Sequence, residues 1–219
     1  MQTAPRFVSV LLVAALGFSG PSALRAQRAP VEAEHGMVVS VQELASQAGV
    51  EIMRKGGNAV DGAVATGFAL AAVYPWAGNL GGGGFMLVHL ADGRDIAIDY
   101  RETAPAAASR DMYLDEAGNV RKGPGSSTTG WRASGVPGTV AGLALAFEKY
   151  GSHKVTWAEV LEPARRLAAE GHLVTQYNAS RAHYVAARVG LFPESRRVYL
   201  KDGAFLQPGD LWVQPEMNN

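Results

Sequence analysis

The 219-residue sequence contains no cysteine and has no excess of charge of either sign. Without cysteine it forms no disulfide, and its five histidines show no metal-binding spacing. Lysine plus arginine and aspartate plus glutamate both number 20, so the basic excess typical of nucleic-acid-binding proteins is missing. We therefore expect no metal, no cofactor and no nucleic-acid partner.

The sequence also lacks the local signatures of several enzyme classes. No Gly-Lys-Ser or Gly-Lys-Thr follows its glycines, which excludes a P-loop. No serine lies in Gly-x-Ser-x-Gly, and the hydroxyls at 126–129 and at Ser134 have the composition of an ordinary loop. His153 and His172 have no spacing that ties them to a serine. We expect no catalytic residue within this chain.

No apolar run is long enough to span a membrane, for which about 20 residues are needed. The N-terminal segment instead has the pattern of a secretory signal peptide, because Arg6 supplies a positive charge and the residues that follow it to Phe18 are almost wholly apolar. We predict cleavage after Ala26, so that 1–26 is the signal peptide and 27–219 is exported to the periplasm or beyond. An uncleaved N-terminal anchor is the alternative.

Two helices are predicted ahead of a glycine-rich stretch. A short strand at 36–40 runs into Ser40, which forms a Ser-x-x-Glu capping box with Glu43 and so starts a helix that ends at Gly56. The next helix starts at Asn58 and is apolar on nearly all sides. A helix without a polar face belongs in a protein core.

The stretch that organises the chain begins with four consecutive glycines: Gly81, Gly82, Gly83 and Gly84. Two short runs follow, joined by Asp92 and Gly93, a sequence typical of a type I′ hairpin. If these two residues form the loop, Gly84 lies opposite Arg101. Glycines expose backbone N–H groups and a guanidinium is a rigid fork for oxyanions, so the pair indicates a carboxylate or phosphate site.

An alternative assigns these residues a purely structural part. In it the glycines only make a tight entry turn, and Arg101 forms an ion pair with Asp99 or Glu102. Motif matches carry false positives, so the residue pattern leaves both interpretations open.

The remaining chain alternates loops and helices. We predict a surface loop over 106–129 with a turn at Asp115 to Gly118, and a helix from Val136 to Gly151. A second capping box, Thr156 with Glu159, starts a helix that we expect Pro163 to break. A further helix is predicted over Gln176 to Arg188, followed by short extended pieces from Arg197 to Val213.

Five motifs in order carry a resemblance to a known family: GMVVSVQELASQAGVEIMRKGGNAVDGAVATGFALAAVYP, GNLGGGGFMLVH, IDYRETAP, SGVPGTVAGL and LEPARRLAAEG. Together they resemble the N-terminal part of γ-glutamyltransferases, the glutathione hydrolase proenzymes. The resemblance implies an α/β chain of the N-terminal-nucleophile hydrolase class, an αββα sandwich of which this chain is the large-subunit portion. It also implies a precursor that cuts itself, so that a threonine at the new terminus of the small subunit becomes the nucleophile.

The resemblance assigns Arg101 to the α-carboxylate of the γ-glutamyl group and the four glycines to a loop beside that pocket. The nucleophile and the small subunit have no match here, so we expect the chain to stop before the cleavage site and to be inactive alone. The substrate implied is a small γ-glutamyl compound such as glutathione. Two alternatives remain: an exported, non-catalytic carboxylate-binding module, and a related acylase that acts on another γ-glutamyl or acyl substrate.

Overall fold

Helices and small antiparallel sheets alternate along the computed structural model, which describes residues 30–182 and 184–218. The predicted signal peptide lies outside the described residues. The helices are α1 (Glu43–Arg54), α2 (Ala59–Val73), α3 (Thr139–Tyr150), α4 (Trp157–Ala169), α5 (Gln176–Ala182), α6 (Ala186–Val189) and α7 (Pro193–Tyr199). The strands are β1 (Phe85–His89), β2 (Asp95–Asp99), β3 (His172–Leu173), β4 (Leu200–Lys201), β5 (Ala204–Phe205) and β6 (Leu211–Trp212). Short 3-10 helices span Trp131–Ala133 and Pro215–Met217.

The start of α1 differs from the prediction. Gln42 is the N-cap, and the Ser40 hydroxyl donates to its carbonyl oxygen at 2.7 Å instead of capping the helix. The predicted capping box is wrong because the helix begins at Glu43, which leaves Ser40 two positions before the N-cap Gln42 and too far from the first free N–H groups. The predicted strand at 36–40 is also wrong: no strand among the described residues pairs with this segment.

Helix α2 forms the centre of the core, as its apolar sequence predicts. Asn58 caps it with a capping box in which Asp61 is the reciprocal partner. Residues on several sides of the helix are buried against α1, α3 and α4. At 15 residues it is shorter than a bilayer-spanning helix, and no helix among the described residues is long and apolar enough to cross a membrane.

The hairpin of β1 and β2 is confirmed, but the predicted register is wrong by one residue. Phe85 pairs with Asp99 and His89 with Asp95, so Gly84 lies opposite Tyr100. The loop has three residues, because the N–H of Leu90 donates to the Arg94 carbonyl and only Gly93 has positive φ. A three-residue loop of this kind combines a type I turn with a glycine bulge, which replaces the type I′ turn.

The two faces of this hairpin differ. Met86, Val88 and Ile98 pack against the core that α2 and α3 build. On the other face Phe85 and Leu87 are exposed, Leu87 to 84%. The hairpin thus attaches the glycine loop and Arg101 to the helical layer, while its outer face is open and carries Phe85 and Leu87 together with Asp95 and Asp99.

Helices α3 and α4 follow the predicted surface loop, whose turn at Asp115 to Gly118 is present. The capping box of Thr156 and Glu159 is confirmed, but the break at Pro163 is not. Helix α4 continues through this proline, whose ring is fully buried while α4 packs against α2. Burial of the ring and packing of the helix offset the missing hydrogen bond, which sequence rules treat as decisive.

The C-terminal part departs most from the prediction. The helix predicted over Gln176 to Arg188 ends at Ala182, because the N–H groups of Tyr184 and Val185 bond carbonyls three residues back and tighten the chain. The helix α7 was not predicted. The expected extended pieces are present as β4, β5 and β6; β6 pairs with β3 beside the buried His172.

Candidate functional site

Arg101 lies two residues after the end of β2 and is exposed. Its backbone N–H donates to Asp99 Oδ1 at 3.0 Å, while its guanidinium forms no ion pair with any described residue. The alternative in which the guanidinium pairs with Asp99 or Glu102 is therefore wrong. The structure leaves a permanently charged, five-donor group available to an oxyanion.

The glycine loop, defined as Gly81 to Gly84, lies against the backbone that carries this arginine. A Cβ on Gly83 would lie 2.6 Å from the Glu102 nitrogen and 2.8 Å from the Arg101 Cα. Gly84 instead faces the Tyr100 ring, which a Cβ would approach to 2.8 Å. The predicted juxtaposition of loop and arginine is present, but Gly83 makes it where Gly84 was expected, since the register is shifted by one.

Two N–H groups of the glycine loop have no acceptor among the described residues, those of Gly81 and Gly83. Gly82 donates to Asn79 Oδ1 at 2.9 Å, and Gly84 donates weakly to the Tyr100 carbonyl at 3.4 Å. Unbonded backbone N–H groups on a loop that contacts the arginine backbone are donors suited to a carboxylate. No feature of a metal site accompanies them, as no three metal-ligand side chains converge in the part of the chain that the structure describes.

The glycine loop also caps α3. The carbonyl of Gly82 accepts the N–H groups of Gly138 and Thr139 at 2.8 and 3.0 Å. These groups would otherwise be free at the helix start, because the N-cap Gly138 has no side chain to satisfy them. The Thr139 hydroxyl donates to Asn79 Oδ1 at 2.6 Å. Asn79 and Thr139 were not among the residues predicted from the sequence; the start of α3, which has no capping side chain, was the one signal of an outside partner.

A second segment supports Arg101 from the other side. Thr103 and Val136 exchange two backbone hydrogen bonds at 3.2 and 2.8 Å. Gly135 packs so closely on Glu102 that a Cβ would lie 2.9 Å from the Cβ of that residue. The Tyr100 ring packs against Gly84 and Gly142, and this burial raises the pKa of its phenol. Close glycine contacts therefore hold the backbone on which Arg101 lies, Gly83 at Arg101 and Gly135 at Glu102.

The hydroxyls set aside in the sequence do not form a catalytic group. Ser126 is buried and its hydroxyl lies 3.2 Å from that of Thr128. No hydroxyl of 126–129 contacts a histidine among the described residues. His172 is buried beside Trp212; neither of its ring nitrogens makes a hydrogen bond of good geometry in the part described, although the Leu167 backbone lies near the ring. These groups therefore assemble no nucleophile and base.

Comparisons with known proteins point to one family. A family model described as Gamma-glutamyltranspeptidase matches residues 45–219. The chain is 46% identical over 216 residues to a glutathione hydrolase proenzyme of a Pseudomonas species, covering 96% of this chain and 36% of that protein. It is 48% identical to the glutathione hydrolase proenzyme of Escherichia coli, covering 86% of this chain and 32% of the relative.

Solved structures agree with these sequence relatives. The crystal structure of Helicobacter pylori gamma-glutamyltranspeptidase superimposes with a TM-score of 0.81 at 41% identity, covering 86% of this chain and 54% of the other. The chain thus spans about a third of the length of the curated relatives it matches.

Proposed function

Because this chain belongs to the gamma-glutamyltranspeptidase family, we propose that it forms the large-subunit region of an enzyme that transfers or hydrolyses the γ-glutamyl group of glutathione-like donors. Its fold class is that of the N-terminal-nucleophile hydrolases, as predicted, since the structural relatives are gamma-glutamyltranspeptidases. Phe85 and Leu87 are exposed, which supports the proposal that this hairpin packs against a second sheet in the complete enzyme.

The observation that carries the proposal is the unpaired guanidinium of Arg101, a residue whose backbone packs against the glycine loop. A γ-glutamyl group has an α-carboxylate at the end remote from the reacting amide. An arginine that binds this carboxylate therefore orients the donor without touching the bond that breaks. A bidentate arginine–carboxylate pair contributes about 1.5 to 3 kcal/mol. The loop N–H groups of Gly81 and Gly83 are further donors for the same anion.

Arg101 binds but does not catalyse. Its guanidinium stays protonated and is neither a base nor a nucleophile. In the proposed enzyme the nucleophile is the N-terminal threonine of the small subunit, whose own amino group serves as the base. The chain described here supplies the substrate-holding part of the site, and the small subunit is its partner.

The test is replacement of Arg101 in a full-length polypeptide that contains this region. Arg101→Ala should raise KM for L-γ-glutamyl-para-nitroanilide by about tenfold or more, since the pair with the α-carboxylate is lost. The matched control is Arg94→Ala, which removes an exposed arginine at the hairpin turn. For γ-aminobutyryl-para-nitroanilide, which lacks only the α-carboxylate, Arg101→Ala should have the same KM as the parent enzyme. An unchanged KM for the γ-glutamyl donor in Arg101→Ala would refute the assignment.

We further propose that the chain is exported and that its mature form begins at Gln27. The positive charge and apolar run at 1–26 support this. N-terminal sequencing of the secreted protein tests it. A retained Met1 would contradict cleavage and favour the anchor.

A further inference from the structure

The side chain of Asn79 joins the glycine loop to the start of α3. Its Oδ1 accepts two hydrogen bonds, from the Gly82 N–H at 2.9 Å and from the Thr139 hydroxyl at 2.6 Å. Its amide Nδ2 donates to the Ala77 carbonyl at 2.9 Å, which fixes which end of the amide faces the loop. Thr139 is 7% exposed, so water does not readily replace its bond to Asn79.

These contacts fix the orientation of the two peptide groups that flank Gly82. The N–H of Gly82 is directed to Asn79, and its carbonyl is directed to the N–H groups that open α3. In a trans peptide the C=O and the following N–H point in opposite directions, so the N–H of Gly83 is directed away from the start of α3. Glycine by itself would allow many orientations, because it lacks a Cβ.

We propose that Asn79 and Thr139 are positioning residues for donor binding, which hold the glycine loop so that Gly83 packs against Arg101 and keeps its N–H available. The inference rests on the proposed function of Arg101. Neither side chain touches the substrate in this role; both act through the loop. Loosening the loop should weaken binding of the α-carboxylate and leave the chemical step almost untouched.

The decisive variant is Thr139→Val in a full-length polypeptide that contains this region, because valine keeps the size and removes the hydroxyl. We expect KM for L-γ-glutamyl-para-nitroanilide to rise about fivefold while kcat stays within about twofold. Thr139→Ser restores the hydroxyl and should return KM close to that of the parent. Asn79→Ala removes both accepted bonds and should raise KM at least as much as Thr139→Val.

Thr156→Val provides the matched control, since it removes a threonine hydrogen bond at another helix start, the cap of α4. It should lower stability and leave KM unchanged. A Thr139→Val enzyme with the parent KM overturns the inference, as does an equal rise of KM in Thr156→Val. Arg101→Ala separates the two proposals: if it raises KM while Thr139→Val does not, the positioning role alone fails. If Arg101→Ala has no effect, the proposed function fails first.

Discussion

The carboxylate of Asp61 bonds the backbone of Ser152 across the junction between two helices. Its Oδ2 accepts the Ser152 N–H at 2.9 Å and the Asn58 N–H at 2.8 Å, and the residue is fully buried. The Asn58 amide in turn donates to the Tyr150 carbonyl at 2.8 Å. The start of α2 and the end of α3 are therefore locked together, and α3 carries at its other end the N–H groups that hold the glycine loop.

We predict that Asp61→Ala lowers the free energy of unfolding by about 2 to 4 kcal/mol, because two backbone N–H groups lose an acceptor that is itself fully buried. Asp61→Asn keeps one oxygen where Oδ2 lies and should cost clearly less. Urea denaturation of both variants measures the difference. Equal losses in the two variants would show that the negative charge of the carboxylate, which both variants remove, and not the bonds accepted by Oδ2, determines the effect.

Two glycines of the same loop should differ in how much stability they lose when replaced by alanine. Gly83→Ala places a Cβ against the backbone of Tyr100 to Glu102, so we expect a loss of about 2 kcal/mol or more and a shift of Arg101. Gly81→Ala meets no atom within 4 Å and should change stability by less than about 0.5 kcal/mol. Thermal unfolding of the pair checks this, and similar midpoints for both would contradict the close contact at Gly83.

Replacing Arg101 should not affect stability. The side chain is exposed and makes no ion pair with the described residues, so Arg101→Ala should alter the free energy of unfolding by less than about 0.5 kcal/mol. A matched arginine in an ion pair is Arg166, whose guanidinium lies 2.7 Å from Glu51; Arg166→Ala should cost more. A large loss of unfolding free energy in Arg101→Ala would mean that the side chain stabilises the fold and is not free to bind a ligand.

The buried His172 should make stability depend on pH. Burial lowers its pKa below 6.5, although the nearby Leu167 carbonyl acts in the opposite direction. The unfolded chain therefore binds the proton first, so the stability that the neutral ring provides is present above about pH 7.5 and is lost as pH falls through 6.5.

His172→Phe keeps a ring beside Trp212 and should flatten the slope of unfolding free energy between about pH 5 and 7. Urea denaturation at several pH values measures that slope. His35→Gln, which replaces an exposed imidazole, is the control. A slope that persists in His172→Phe would assign the pH dependence to other groups.

Local sequence signals predicted the elements that are held by local interactions. The capping residues Asn58 and Asp61, and Thr156 with Glu159, start their helices as expected, because a cap bonds N–H groups within three residues. The turn around Gly93 produced a hairpin for the same reason. The Ser40 motif failed since a four-residue pattern does not say which of several adjacent residues begins the helix.

Long-range contacts explain the remaining differences. Pro163 stays inside a helix because burial against the rest of the fold offsets a lost bond, and no local rule contains that burial. The roles of Asn79 and Thr139 were not predicted, because their hydrogen bond joins residues 60 positions apart.

The sequence alone determined that a glycine loop and an arginine flank one hairpin, since that placement needs only two strands and a short turn. Only the tertiary structure decided which glycine touches the arginine and what holds the loop. A one-residue change of hairpin register exchanges Gly84 for Gly83 beside Arg101, and the bond from Thr139 to Asn79 comes from a distant helix. These arrangements are stabilised by packing between elements. Residue patterns within a single element carry no information about that packing.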